Sequence, residues 1–225
     1  TARDRGEHTL MLFLADHGRT ITRRPPFGEG SREHLLFRRH KAEALLLVGQ
    51  TQDALTACVA LRADFRSFFG DRDPETLYLR YLHVRFVNRS GDSAAALKEL
   101  ETLLPLRTEV QGPRNPGVLA TRFLLAQCRA DSGDSAGALA ELETLLPLMT
   151  EVQGARHPYV LSTRLLRSEI LADLGRPAEA AADLADIEQG FDAAGLLPQH
   201  RYRTRLQTLR DHLSAPPSPD APPDV

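Results

Sequence analysis

GDSAAALKELETLLPLRTEVQG, residues 91–112, returns as GDSAGALAELETLLPLMTEVQG at residues 133–154. Nineteen of the 22 positions agree at an offset of 42 residues, and the differences fall at Ala95/Gly137, Lys98/Ala140 and Arg107/Met149. Followed outward, the offset holds. Glycines stand at 49, 91, 133 and 175, in GQTQDAL, GDSAAAL, GDSAGAL and GRPAEAA, and five residues after each comes an alanine: Ala54, Ala96, Ala138 and Ala180. Further glycines follow 21 residues after three of these, at 70, 112 and 154, and arginine recurs at 38, 80, 122 and 164. Several features sharing one period identify a repeat protein.

Each unit reads as two helices. The stretch before the first Gly, such as VLATRFLLAQCRADSG, is apolar all round, as a helix packed on two sides would be. Gly ends it by leaving helical geometry, and Asp92 or Asp134 is placed to cap the next helix. That helix carries Leu97, Leu100, Leu103, Leu104 and Val110 at steps of three and four. Gln111-Gly112 closes it, and an X-Pro step (Asp73-Pro74, Asn115-Pro116, His157-Pro158) opens the next pair, because Pro is tolerated in a first helical turn. Pro105 and Pro147 fall inside the second helix, where each removes one hydrogen bond and favours a bend. The conserved spacing of the alanines implies two helix axes that cross too closely for a larger side chain.

Composition agrees with an all-α fold. Hydrophobic residues make up 42%, aromatics only 6%, and Trp is absent, a balance suited to closely packed Ala/Leu helices. The net charge of −2 gives no basic footprint for nucleic acid. The basic residues are 26 Arg against two Lys, the usage of a GC-rich bacterial genome. Cys58 and Cys128 lack metal spacing and read as small buried residues. TLMLFLA, residues 9–15, is too short to span a bilayer and no cleavage site follows it, so the expected location is the cytoplasm, away from membranes.

The pattern resembles the tetratricopeptide repeat, with a small residue in the first helix, Gly at the turn and a small residue early in the second. That family normally runs 34 residues per repeat. The eight additional residues resemble the kinesin-light-chain type, and TEVQGPRNPGVLATR and TEVQGARHPYVLSTR look like versions common in actinobacterial regulatory proteins. The resemblance implies an all-α, right-handed superhelical solenoid. Its expected parts are an N-terminal capping helix and turn over 1–30, repeats over 31–72, 73–114, 115–156 and 157–198, a closing helix over 199–213, and a disordered Pro-rich tail over 214–225. By the same register, residues 7–24 take the place of a second helix whose first helix is missing, so this helix either caps the array or continues a longer chain.

Nothing in the chain reads as catalytic. The histidines show no HxxxH pair, FGEGS at 27–31 follows no strand and lacks the GK[ST] ending of a phosphate loop, and no GxSxG occurs. The expectation is a protein that is not an enzyme, with no cofactor and no metal. Arg38, Arg80, Arg122 and Arg164 read as a structural ladder, or less simply as an anion site, with Glu109 and Glu151 as candidate partners of Arg122 and Arg164.

The other face of the first helices is where such arrays bind. It offers Leu36, Arg39, His40 and Glu43, then Tyr78, Tyr81, Leu82 and Arg85, then Phe123, Leu124 and Gln127, then Leu165, Leu166 and Glu169. Kinesin-light-chain-like arrays typically carry asparagine where this chain has Tyr81-Leu82, Phe123-Leu124 and Leu165-Leu166. An apolar strip fringed by Arg and Glu suits an amphipathic helix better than an extended backbone. The expected function is a non-catalytic interaction scaffold or regulatory module for another protein, a peptide or a sister domain. A receptor for a small signalling peptide is the alternative, and packing of the strip within the solenoid would leave the binding face elsewhere.

Overall fold

The computed structural model describes residues 2–24, 27–196 and 200–214. Residues 215–225, which hold nearly all of the expected Pro-rich tail, lie outside them. Among the described residues there is no strand. The helices are α1 (Ala2–Thr22), α2 (Arg32–Leu47), α3 (Thr51–Phe69), α4 (Pro74–Arg89), α5 (Ser93–Gln111), α6 (Pro116–Asp131), α7 (Ser135–Gln153), α8 (Pro158–Asp173), α9 (Pro177–Ala182), α10 (Leu184–Ala193) and α11 (Arg201–Ser214).

The boundaries follow local chemistry. Gly91 and Gly133, at φ +97° and +90°, end the first helices of their repeats in a backbone region that only glycine enters cheaply. Asp92 then caps α5, its Oδ1 accepting from the Ala95 amide at 2.9 Å. At the next junction the residue before proline is itself the cap. Asp73, Asn115 and His157 accept from the amides of Glu75, Gly117 and Tyr159 at 2.8, 2.8 and 3.2 Å, with Pro in the first turn behind them. Pro105 and Pro147 sit inside unbroken α5 and α7. Both are exposed, as is Glu101, so water can satisfy the carbonyl left without a donor before Pro105.

The chain divides into two compact units at Asp134/Ser135, inside the third repeat. In the first, α1 to α6 pack each on the next, and α2, α4 and α6 also touch in sequence. Its core holds Phe65, Phe86, Leu77, Leu82 and Leu100, all at 0–1% exposure. Cys58 and Cys128 are buried there, and burial pushes both thiols up to about 12, leaving them protonated. In the second unit, α8 packs against α7, α9, α10 and α11 around Leu161, Leu165, Ile187, Phe191 and Leu206. Ala54, Ala96, Ala138 and Ala180 have no exposed surface.

Two features depart from the regular pattern. The fourth repeat's second helix is interrupted at Asp183 into α9 and α10. The Asp183 carboxylate makes no cap to α10 because Arg164 holds it, donating from Nη2 at 2.7 Å and Nε at 3.3 Å. At the other end, α1 turns Leu10, Phe13, Leu14 and Ile21 outward, at 53–63% exposure, where a solenoid end is ordinarily polar.

Candidate functional site

Within the first unit, α2, α4 and Arg107 of α5 bring aromatic and charged side chains into one cluster. At its centre the Tyr78 and Tyr81 rings stack at 5.9 Å with 29° between their planes. Arginines lie over both. The Arg39 guanidinium stands 4.7 Å from the Tyr78 centroid, and those of Arg85 and Arg107 stand 5.6 and 5.3 Å from the Tyr81 centroid. The Tyr78 hydroxyl donates to Glu43 Oε1 at 2.9 Å, and burial, followed by the Glu43 charge, raises its pKa so that it stays a donor.

Arg39 reaches Glu75 at 3.5 Å, and its Nη2 donates to His40 Nε2 at 2.8 Å. Burial and the adjacent Arg39 charge lower the His40 pKa, favouring the neutral ring that can accept this bond. Glu43 also stands 4.0 Å from Arg85. The cluster is thus an interlocked set of aromatic rings, arginines and carboxylates, not a loose fringe.

The face is narrower than the strip expected from the sequence. Tyr78, Arg85, Phe123 and Gln127 are partly exposed, while Arg39 and Tyr81 are largely enclosed at 9% and 7%. Leu82 and Leu165 have no exposed surface, and Leu124 and Leu166 retain 4% and 6%. Adjacent helical residues are about 100° apart, so the side chain at 123 stays partly exposed while its successor turns into the core. In the second unit the fourth repeat's face is not open. Leu165 packs in one cluster with Tyr202 and Leu206 of α11, and Glu169 accepts from Arg205 Nε at 2.9 Å. The closing helix covers this repeat's face with its own residues.

Three of the four recurrent arginines pair with residues further along the chain. Arg38 donates to Asp64 at 2.7 Å, Arg80 to Glu99 and Thr102 at 2.8 and 2.9 Å, and Arg164 to Asp183 at 2.7 Å. Asp64, Glu99 and Thr102 lie on the helix that follows, and Asp183 lies at the break between α9 and α10. Glu109 accepts from Arg72 at 2.6 Å. Arg122 is half-buried. An open cleft of about 580 Å³ beside α3 and α4 has Arg66 and Arg80 in its wall, and Asp71 and Glu99 already neutralise them.

Arg107 escaped the sequence reading. It is only 2% exposed, and the signal for it was present as one of three differences between the repeated stretches, where the later copy has Met149. Among the described residues, no group of three or more His, Cys, Asp or Glu is placed to hold a metal ion, and no helix is long and apolar enough to cross a membrane.

No family model matches the chain, and no curated protein matches it. Solved structures do. A putative kinesin light chain of Podosopora anserina with nearly identical TPR-like repeats superposes with a TM-score of 0.64 at 18% identity, over 86% of this chain and 91% of that one. The fold is that of the tetratricopeptide-like repeat proteins. Bacillus thuringiensis PlcR, solved in complex with the peptide PapR7 and DNA, matches this chain with a TM-score of 0.71 at 10% identity, over 95% of this chain and 70% of its own. A Rap protein complexed with competence and sporulation factor matches with a TM-score of 0.60 at 15% identity, over 94% and 61%. These likenesses rest on backbone geometry, and the chain shares with them its arrangement of paired helices.

Proposed function

We propose that the chain is a non-catalytic protein-interaction module, and that the face shared by α2, α4 and α6 holds a segment of a partner protein or sister domain. The observation that carries this reading is the Tyr78–Tyr81 stack with its arginines. Aromatic rings and arginines dominate the affinity of interfaces, since they bury much area at little entropic cost. An amphipathic helix fits such a face, with apolar residues against the rings and polar ones over the Arg–Glu rim.

A second reading is a receptor for a short signalling peptide. It is favoured by the bound peptide named for PlcR and the bound factor named for the Rap protein. The two readings differ in ligand length. Selection from a displayed random-peptide library, with inserts of differing length, would test both. We expect binders, and Phe123→Ala should weaken them about 30-fold, equivalent to about 2 kcal/mol at a hot spot. The melting temperature should change little, because Phe123 is only partly buried. Short inserts binding as tightly as long ones would favour the receptor. Failure to recover any binder, or binders indifferent to Phe123→Ala, would contradict an interaction face at this position.

A further inference from the structure

Among the described residues, α1 packs on α2 and on no other helix. Ala15 and Thr22 are buried on its inner side, and Gly18 leaves room there for the Phe37 ring, which an added Cβ would strike. Lys41 of α2 donates to Asp16 at 2.7 Å and fixes the rotation of the helix. A helix turns by about 100° per residue, so this places Leu10, Phe13, Leu14, His17 and Ile21 together on the far side. The four apolar ones are each more than half exposed. His17 is exposed as well, its ring stacked on Phe13 at 5.9 Å with 9° between the planes.

Elsewhere in the array the same places hold small or polar residues, or proline. Shifted by one period, Leu10, Leu14 and Ile21 fall on Gln52, Thr56 and Ala63 of α3, and on Ala94, Lys98 and Pro105 of α5. The repeat itself therefore has no need of large apolar side chains there. An apolar stripe that gains nothing from its own fold is the mark of a contact surface.

The spacing of the stripe says what fits it. Leu10, Leu14, His17 and Ile21 are separated by four, three and four residues, the alternation that keeps two packed helices in contact along one seam. Four, three, four reads the same in both directions. Turned end for end on a second copy, the seam meets itself, with Leu10 of one copy against Ile21 of the other and Leu14 against His17. Such a contact is closed by a two-fold axis and leaves no further copy to add. The five exposed side chains offer about 500 Å², so two copies would bury about 1,000 Å², the size at which a specific interface begins.

We infer that two copies of this chain pair through α1, antiparallel, with the two-fold axis level with Ala15 and Asp16. Sedimentation velocity of the 225-residue chain over a concentration series tests this. Dimers should form with a dissociation constant of about 10 µM, as suits a contact of this size. Leu14→Glu sets a carboxylate in the middle of the seam and should weaken the dimer about 100-fold or more, with the melting temperature of the dilute protein unchanged. Thr56→Glu, at the equivalent place in α3, should leave the dimer intact. Cysteine pairs read the orientation, since Cys58 and Cys128 are buried and take no part. Leu10→Cys and Ile21→Cys in one chain should trap a covalent dimer on oxidation. Either alone should not, because the two copies of one residue would stand about 16 Å apart along the seam, beyond the roughly 7 Å that a disulfide spans. A chain that sediments as a monomer at about 100 µM would overturn the inference and leave the stripe to a different protein or segment. So would a dimer indifferent to Leu14→Glu, one that the paired cysteines fail to trap, or one trapped equally by a single cysteine.

Discussion

Phe191→Ala is expected to destabilise the second unit by about 3–5 kcal/mol, the cost of emptying a fully buried aromatic site. Phe191 has no exposed surface and packs among Leu161, Leu165, Ile187 and Leu206, residues of three helices. Its ring also stacks with Tyr202 of α11 at 6.1 Å with 15° between the planes, an aromatic contact that adds about 0.5–1.5 kcal/mol to area burial. Neighbouring Gly190 lets α10 approach Leu161 closely, since an added Cβ would come within 2.6 Å of its side chain. The space left by Phe191 is thus walled by helices already in contact, and collapse into it would be limited. Urea denaturation followed by circular dichroism measures the change; a midpoint equal to that of the unmodified protein would contradict the core assignment.

Leu82→Ala should cost about 2–5 kcal/mol, although its neighbour Tyr81 belongs to the proposed binding face. Leu82 has no exposed surface and lies in the core with Leu79, Val84 and Phe86. The loss should appear in the denaturation midpoint, and the affinity of the folded fraction for a selected peptide should stay within about twofold. Phe123→Ala should show the opposite division. A Leu82 variant that melts normally but binds weakly would place the partner against a different side of α4.

This contrast marks how far the sequence could be read. The 42-residue period carried the helix pairs, the turn glycines and the proline starts, because each is a local requirement of backbone geometry. It did not separate the buried Leu165 from the partly exposed Phe123, since a residue's neighbours on adjoining helices decide whether it ends inside or outside. The break at Asp183 and the closure of the fourth repeat by α11 depend on pairs 19 and 36 residues apart, Arg164 with Asp183 and Glu169 with Arg205, which no helical periodicity specifies. Arg107 was visible as a letter that differed between two copies. Its place beside the Tyr81 ring, with Gln111 and Thr121 as hydrogen-bond partners, depends on neighbouring helices that the period does not position.

Hydrogen–deuterium exchange with and without a library-selected peptide tests the binding face most directly, because it reports where the partner lies without altering any residue. Amide protection should rise along α4 and α6, around Tyr81 and Phe123, with α3 and α5 unchanged on their outer sides. Protection confined to α3 and α5, or spread over α1 alone, would contradict it.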